Sequence, residues 1–192
     1  MRITIIGAGN VGKALGEGWA TKHQVHYVKR DSPPHGRGTL VNEADAVVLA
    51  TPADQVNAAV SGLPLAGKTL IDCTNPLKAD LSGLTIGHST SAAEELAALA
   101  PDAKVVKAFN TVGYPIMTNP HFGDRQAMMM IAGDDAGAKQ TTMSLAADLG
   151  FEPIDAGPLT QSRLLEPLAM LWISLAFAHG MGTGFAFGML RR

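Results

Sequence analysis

The chain has 192 residues, with 15 basic and 17 acidic side chains and a formal charge of −2. That length holds one domain with a full core and room for a small appendage, and the charge balance gives no basic excess that would point to nucleic acid or an anionic lipid surface. One cysteine, Cys73, excludes an intrachain disulfide and points to a reducing compartment, and six scattered histidines without zinc spacing give no metal site.

The run Ile3-Thr4-Ile5-Ile6 is apolar, β-branched and too short for a helix, so it reads as a buried strand. A strand starting at residue 2 or 3 leaves no room for a signal peptide, and a cytoplasmic protein is expected. Gly7, Gly9 and Gly12 follow, and Lys13 to Ala20 reads as a helix. Strand, glycine turn and helix together form the context of a dinucleotide-binding fingerprint. Gly7 allows the tight turn, Gly9 lets backbone approach a pyrophosphate, and Gly12 lets helix and strand pack closely. Asn10 and Val11 open the helix, whose N-terminal N–H groups suit phosphate. The bland alternative is a glycine turn without a ligand.

Gln24 to Arg30 alternates and reads as the second strand. At such a strand end an acid binds the 2′-hydroxyl of NAD and an Arg accommodates the 2′-phosphate of NADP. Lys29 and Arg30 precede Asp31, which favours NADP(H) on the fit of a guanidinium to phosphate. Solvated turn charges are the alternative. Asp31 to Gly38, with two prolines and two glycines, reads as loop. The short remainder to Asp45 leaves too little chain for a full helix and a further strand, so this sheet edge is expected to be cut down. His35 and Arg37 could curl back towards a 2′-phosphate or be merely exposed.

Ala46 to Ala50 reads as a buried strand, with Thr51 and Pro52 as N-cap and first position of a short helix ending near Val60. Thr69 to Cys73 is the next strand and leads to Thr74 and Asn75. Residues 78–90 read as loop. Ser91 and Glu94 form a capping box for a helix to Ala100. Lys104 to Phe109 is a strand with Asn110 and Thr111 at its carboxyl end. Tyr114 to Arg125 reads as irregular, Ala127 to Ala132 as a strand rich in core methionine, and residues 133–150 as a capped helix. Phe151 to Asp155 is an edge strand because of Pro153. A last helix runs from about Thr160 to His179.

These elements predict an α/β protein with a Rossmann-type, doubly wound, mainly parallel sheet. Its edge is truncated after strand 2, and a C-terminal helical extension follows. The expected division is a dinucleotide-binding domain over residues 1–157 and a helical segment over 158–192. From Pro167 to Leu190 the only titratable side chain is His179. Pro167 and the glycines at 180, 182 and 184 argue against a membrane span. Leu164, Leu168, Leu171 and Leu175 form one apolar stripe; Met170, Ile173 and Phe177 form another. The sheet can cover one and a second subunit the other, so a homodimer with no membrane or nucleic-acid partner is expected.

Several of these stretches recur in order in one family: the glycine turn, the strand end Lys29-Arg30, Asn75-Pro76-Leu77, Ser91 to Glu94, Val106 to Thr111, and Asp155 to Leu159 with Ser162-Arg163. The chain resembles the 8-hydroxy-5-deazaflavin (coenzyme F-420):NADP oxidoreductases, and is similar to the reductase domain of six-transmembrane ferric reductases. Pyrroline-5-carboxylate reductases share the N-terminal part. Asp31 to Asp45 departs, because the family usually has a longer segment there. The resemblance implies NADPH over the strand ends, with Gly9, Asn10 and Val11 at the pyrophosphate and Arg30 at the 2′-phosphate. It implies Ala50, Thr51, Pro52, Thr74 and Asn75 around the nicotinamide ribose and amide, and Asn110 and Thr111 on the acceptor side.

Reducing a ketone needs a proton donor in the crevice. The strand ends offer neutral side chains, and no catalytic acid, base or metal ligand is assigned; Lys107 sits mid-strand and His88 in a loop. Transfer between nicotinamide and a flavin or deazaflavin ring needs mainly orientation. The reading is therefore an NADPH-dependent oxidoreductase passing hydride to such a small-molecule acceptor. The alternatives are an imine or keto reductase and a non-catalytic NADP-binding sensor.

Overall fold

The computed structural model describes residues 1–29, 31–190 and 192, with the side chain of Pro34 also outside the described part. Arg30, expected at the 2′-phosphate, lies outside the described residues.

The chain begins with β1 (Arg2–Ile6), α1 (Asn10–Trp19) and β2 (Gln24–Val28). It continues with α2 (Pro34–Glu43), β3 (Ala46–Leu49), a 3-10 turn at Ala53–Gln55 and α3 (Val56–Val60). Next come β4 (Thr69–Asp72), α4 (Ala92–Leu99) and β5 (Lys104–Lys107). α5 (Tyr114–Thr118) precedes a hairpin of β6 (His121–Phe122) and β7 (Arg125–Gln126). β8 (Met128–Gly133), α6 (Ala136–Asp148), β9 (Glu152–Gly157) and α7 (Ser162–Ile173) complete the order, and α7 ends in a π turn at Ser174–Ala178.

Seven strands form one sheet in the order β2-β1-β3-β4-β5-β8-β9. Neighbours run parallel except β5 and β8. Strands buried on both faces read as continuous apolar runs, as β1, β3 and β4 do, and helices cover both sides. One core layer joins β1, β3 and β5 to α1 and α6 through Ala14, Leu15, Trp19 and Leu145. The other joins the opposite face to α2, α3 and α4 through Val41, Val60 and Leu96. After β2 the chain crosses to the other side of β1 to start β3. Strand order reverses between β1 and β3, and ligands bind at the carboxyl ends beside such a reversal.

Three local expectations are corrected. Asp31 to Gly38 is not all loop: α2 starts at Pro34, whose fixed φ suits the first helical turn. Its glycines lower its own helix propensity, so α2 depends on tertiary contacts: Val41 is fully buried and Leu40 O accepts from Thr4 Oγ1 at 2.8 Å. The strand edge is nonetheless short, since β2 is outermost. Second, Pro52 rather than Thr51 is the N-cap, and the first turn is 3-10. Third, Tyr114 to Arg125 contains α5, with Pro115 in its first turn, and a two-stranded hairpin. The Ser91–Glu94 box is present, with Glu94 N donating to Ser91 Oγ at 3.2 Å.

The C-terminal helix also differs. Its buried face is Ser162, Leu165, Glu166, Ala169, Trp172 and Ala176, a stripe distinct from both expected ones. The Leu164 and Leu171 side faces outward, because a buried Glu and the Trp172 indole take the inner face instead. No helix of the described residues is long and apolar enough to cross a membrane.

Candidate functional site

The turn after β1 is built by backbone geometry. Gly7 has φ +110°, and a Cβ there would overlap the Ala50 carbonyl oxygen. Gly12 packs so closely that a Cβ would overlap Gly7 O. Gly9 is different: a Cβ would meet nothing within 4 Å, so its open side faces free space where a ligand can approach. Gly9 caps α1 without a side-chain hydrogen bond, so the first-turn N–H groups from Asn10 to Gly12 have no helical acceptor. Those groups and the helix dipole suit a phosphate.

This turn opens onto a cavity of about 750 Å³ lined by Gly7, Ala8 and Gly9 after β1, Val28 at the end of β2 with Lys29 and Asp31 beyond it, and Arg37 from α2. Ala50, Thr51 and Pro52 after β3, with Gln55 and Ala59 beyond, close the other side. Gly7, Gly9, Lys29, Ala50, Thr51 and Pro52 thus meet around one space. The Thr51 hydroxyl is buried and has no hydrogen-bond partner.

Thr74, Asn75, Asn110 and Thr111 do not line that cavity but cluster at the ends of β4 and β5. Asn75 Nδ2 donates to Asn110 O at 2.9 Å, and Asn110 Nδ2 donates to Asn75 Oδ1 at 3.0 Å and to Leu165 O at 3.1 Å. Two acceptors on Asn110 Nδ2 identify Oδ1 as the free atom. It is buried and unpartnered, as is Thr74 Oγ1. Orphaned polar atoms therefore end three successive strands, β3, β4 and β5. A buried polar group without a partner costs about 1–3 kcal/mol, which a ribose or carboxamide can recover. Just before Asn110, the buried Phe109 holds φ +60°, an uncommon conformation for an aromatic residue and one found at functional strand ends.

Beneath these ends lies an ionic network with little signature in the sequence. Lys107 Nζ donates to Asp72 Oδ2 at 2.8 Å and to Thr74 O at 2.6 Å, and lies 2.9 Å from Glu166 Oε1. Glu166 also accepts from the first-turn N–H groups of α4, Ala92 N at 3.0 Å and Ala93 N at 3.2 Å. Lys107 and Glu166 are completely buried. Burial alone would push the Lys107 ammonium towards neutrality; attraction to Asp72 and Glu166 outweighs it and holds the pKa above the ordinary lysine value. Its three N–H bonds are all engaged, so it holds the Thr74 carbonyl and α7 in place. One signal was available: Asp72 and Lys107 stand directly opposite in register, each ending an apolar strand. The Cys73 thiol, buried beside Asp72, is pushed up by burial and the Asp72 charge, which leaves it protonated and unreactive.

The donor set, the glycine cradle and the orphaned oxygens fit a dinucleotide. No family model matches the chain. It is 40% identical to Metalloreductase STEAP3 of Rattus norvegicus over 110 residues, 56% of this chain and 21% of that one. The chain therefore spans about a fifth of the length of that metalloreductase. It is 29% identical over 153 residues to the F420-dependent NADP reductase of Methanocaldococcus jannaschii, covering 74% of this chain and 67% of the other. The crystal structure of a candidate F420-dependent NADP reductase from Arthrobacter sp. FB24 superposes over 100% of both chains with TM-score 0.87 and 29% identity. Sequence and fold together bear out the resemblance drawn from the motifs.

Proposed function

We propose, from the premise that this chain is a homologue of the F420-dependent NADP reductases, that it passes hydride from NADPH to a planar flavin-like or deazaflavin acceptor. Its homologues are NADP-dependent oxidoreductases. The observation that carries the proposal is the chemistry of the crevice. It combines a glycine turn shaped for a dinucleotide with neutral hydrogen-bonding groups at the strand ends and a lysine whose N–H groups are all committed.

Bound NADPH supplies the hydride from its nicotinamide; the chain supplies position. The Gly7–Gly12 turn and the α1 N-terminus hold the pyrophosphate. Thr51, Thr74 and Asn75 bind the nicotinamide ribose and amide. Asn110 and Thr111 border the acceptor side, with the Asn75–Asn110 pair fixing the two strand ends against each other. The one proton that accompanies the hydride in reducing the acceptor comes from water, because the ring needs no side-chain acid in the transfer itself. Residues 1–157 hold the cofactor; residues 158–192 bring α7 to the crevice through Leu165 O and Glu166.

The same segment is read as the contact of a homodimer. Leu164, Leu171 and Phe177 are 65%, 51% and 61% exposed, and Leu168 and Leu175 are half-buried between them. A second copy of the chain would cover this face by two-fold symmetry. One buried cysteine agrees with a reducing, cytoplasmic setting.

The test is a turnover panel in which purified protein and NADPH meet a deazaflavin, free flavins, ferric chelates, cyclic imines and ketones. Oxidation of NADPH by deazaflavin or flavin supports the proposal. Turnover confined to imines or ketones favours a carbonyl or imine reductase, and binding without turnover favours a sensor; either overturns it.

A further inference from the structure

Helix α2 fills the short segment between β2 and β3, and it brings one cation into the cofactor cavity. Arg37 lines that cavity with Gly9, Lys29 and Asp31. Its Nη2 donates to Ala59 O of α3 at 2.8 Å, which pins the guanidinium between the two helices. Its Nε is buried and has no hydrogen-bond partner. Among the described residues, no carboxylate forms an ion pair with it. The neighbouring Gly36 and Gly38 leave open space, with nothing within 4 Å of where a Cβ would stand. A partly buried guanidinium without a counter-charge is held at a cost, and a dianionic phosphate is the group its planar fork fits. The bond to Ala59 O also orders the side chain in advance, so little conformational freedom is lost on binding.

We infer that Arg37 reads the 2′-phosphate of the adenosine ribose and sets the preference for NADP(H), with Lys29 as a solvated rim charge. This inference rests on the NADP(H) reading above and adds a residue to it. Asp31, the group an NAD reading would use, lines the same cavity, and Arg37 supplies the opposite charge there. Direct placement on α2 lets a shortened segment present a cation where a longer loop would otherwise be needed.

Calorimetric titration of the full chain with 2′,5′-ADP and with 5′-AMP tests it, because the two probes differ only in the 2′-phosphate. Wild type is expected to bind 2′,5′-ADP more tightly. Arg37→Ala should weaken 2′,5′-ADP by about tenfold or more and shift 5′-AMP by less than about threefold. Arg37→Gln keeps a donor for the Ala59 carbonyl and removes only the charge, so it should show the same selective loss even if the alanine variant folds poorly. Equal weakening of both probes in Arg37→Gln makes Arg37 a merely structural tie and overturns the inference. An unchanged preference in that variant places the 2′-phosphate elsewhere and also overturns it, while leaving the NADP(H) reading intact. Wild type without preference for 2′,5′-ADP overturns both together.

Discussion

At the scale of residues, the three glycines of the first turn are constrained by different neighbours, and substitution separates them. Gly12→Ala sets a Cβ against the Gly7 carbonyl, so α1 must move off β1 and stability should fall. Gly9→Ala meets nothing within 4 Å in the free protein. It should lose only about 1 kcal/mol from the weaker N-cap, yet lose at least about tenfold in NADPH affinity because the backbone can no longer approach the pyrophosphate. Urea denaturation alongside NADPH titration checks the pair; a Gly9→Ala variant that binds normally would remove the pyrophosphate from this turn. Cys73 should resist alkylation in the native protein and react once urea unfolds it, and fast native labelling would contradict its burial. The glycines were legible because the strand–turn–helix context is local. Arg37 was legible only as a cation that could curl back from a loop, because its placement depends on a helix whose glycines and prolines read as loop and which forms only when Val41 and Leu40 pack on β1 and β3.

Among the elements, α7 is the one whose placement the sequence left least determined. Hydrophobic periodicity marked the uncharged run from Pro167 and offered two apolar stripes, but tertiary pairing chose a third face, the one carrying Glu166. A lone acid in an apolar helix, facing Lys107 across a long stretch of chain, has no local signature. Its role has a measurable consequence. Glu166→Ala leaves a buried ammonium with one carboxylate fewer and removes the acceptor for Ala92 N and Ala93 N. Breaking such a buried pair costs about 3–5 kcal/mol. Urea denaturation should show a loss of that size; a loss below about 1 kcal/mol would mean that α7 is held by its apolar contacts alone. By contrast, the Ser91–Glu94 capping box and the helix after Asp135 were readable at once, since caps are set within four residues.

For the whole molecule, the parallel sheet, its reversal between β1 and β3 and its short β2 edge followed from strand spacing, whereas the antiparallel β8 did not, because periodicity carries no strand direction. Surface ion pairs across the fold set its response to acid. Glu94 is held below the usual carboxylate range by the Arg163 hydrogen bond, Asp135 by Ala138 N–H, Asp148 by Lys22 and Asp155 by Lys139. A depressed folded pKa means that these contributions are present above the unfolded value and lost as pH falls through the folded one. Stability against urea should therefore decline below about pH 4, and a midpoint unchanged down to pH 3 would contradict that assignment. The exposed Leu164, Leu171 and Phe177 face should make the chain a dimer by light scattering at micromolar concentration, with Leu171→Glu shifting it to monomer; a wild-type monomer would rule the contact out. The proposed step is direct hydride passage from a nicotinamide held in this crevice to a planar ring beside Asn110. It is tested by single-turnover reduction of a deazaflavin with NADPH deuterated separately at each face of its nicotinamide. A primary isotope effect is expected from one face only, with that deuterium recovered in the reduced acceptor and no change on adding EDTA. Loss of the label to water, or rates that ignore the label on both faces, would contradict it.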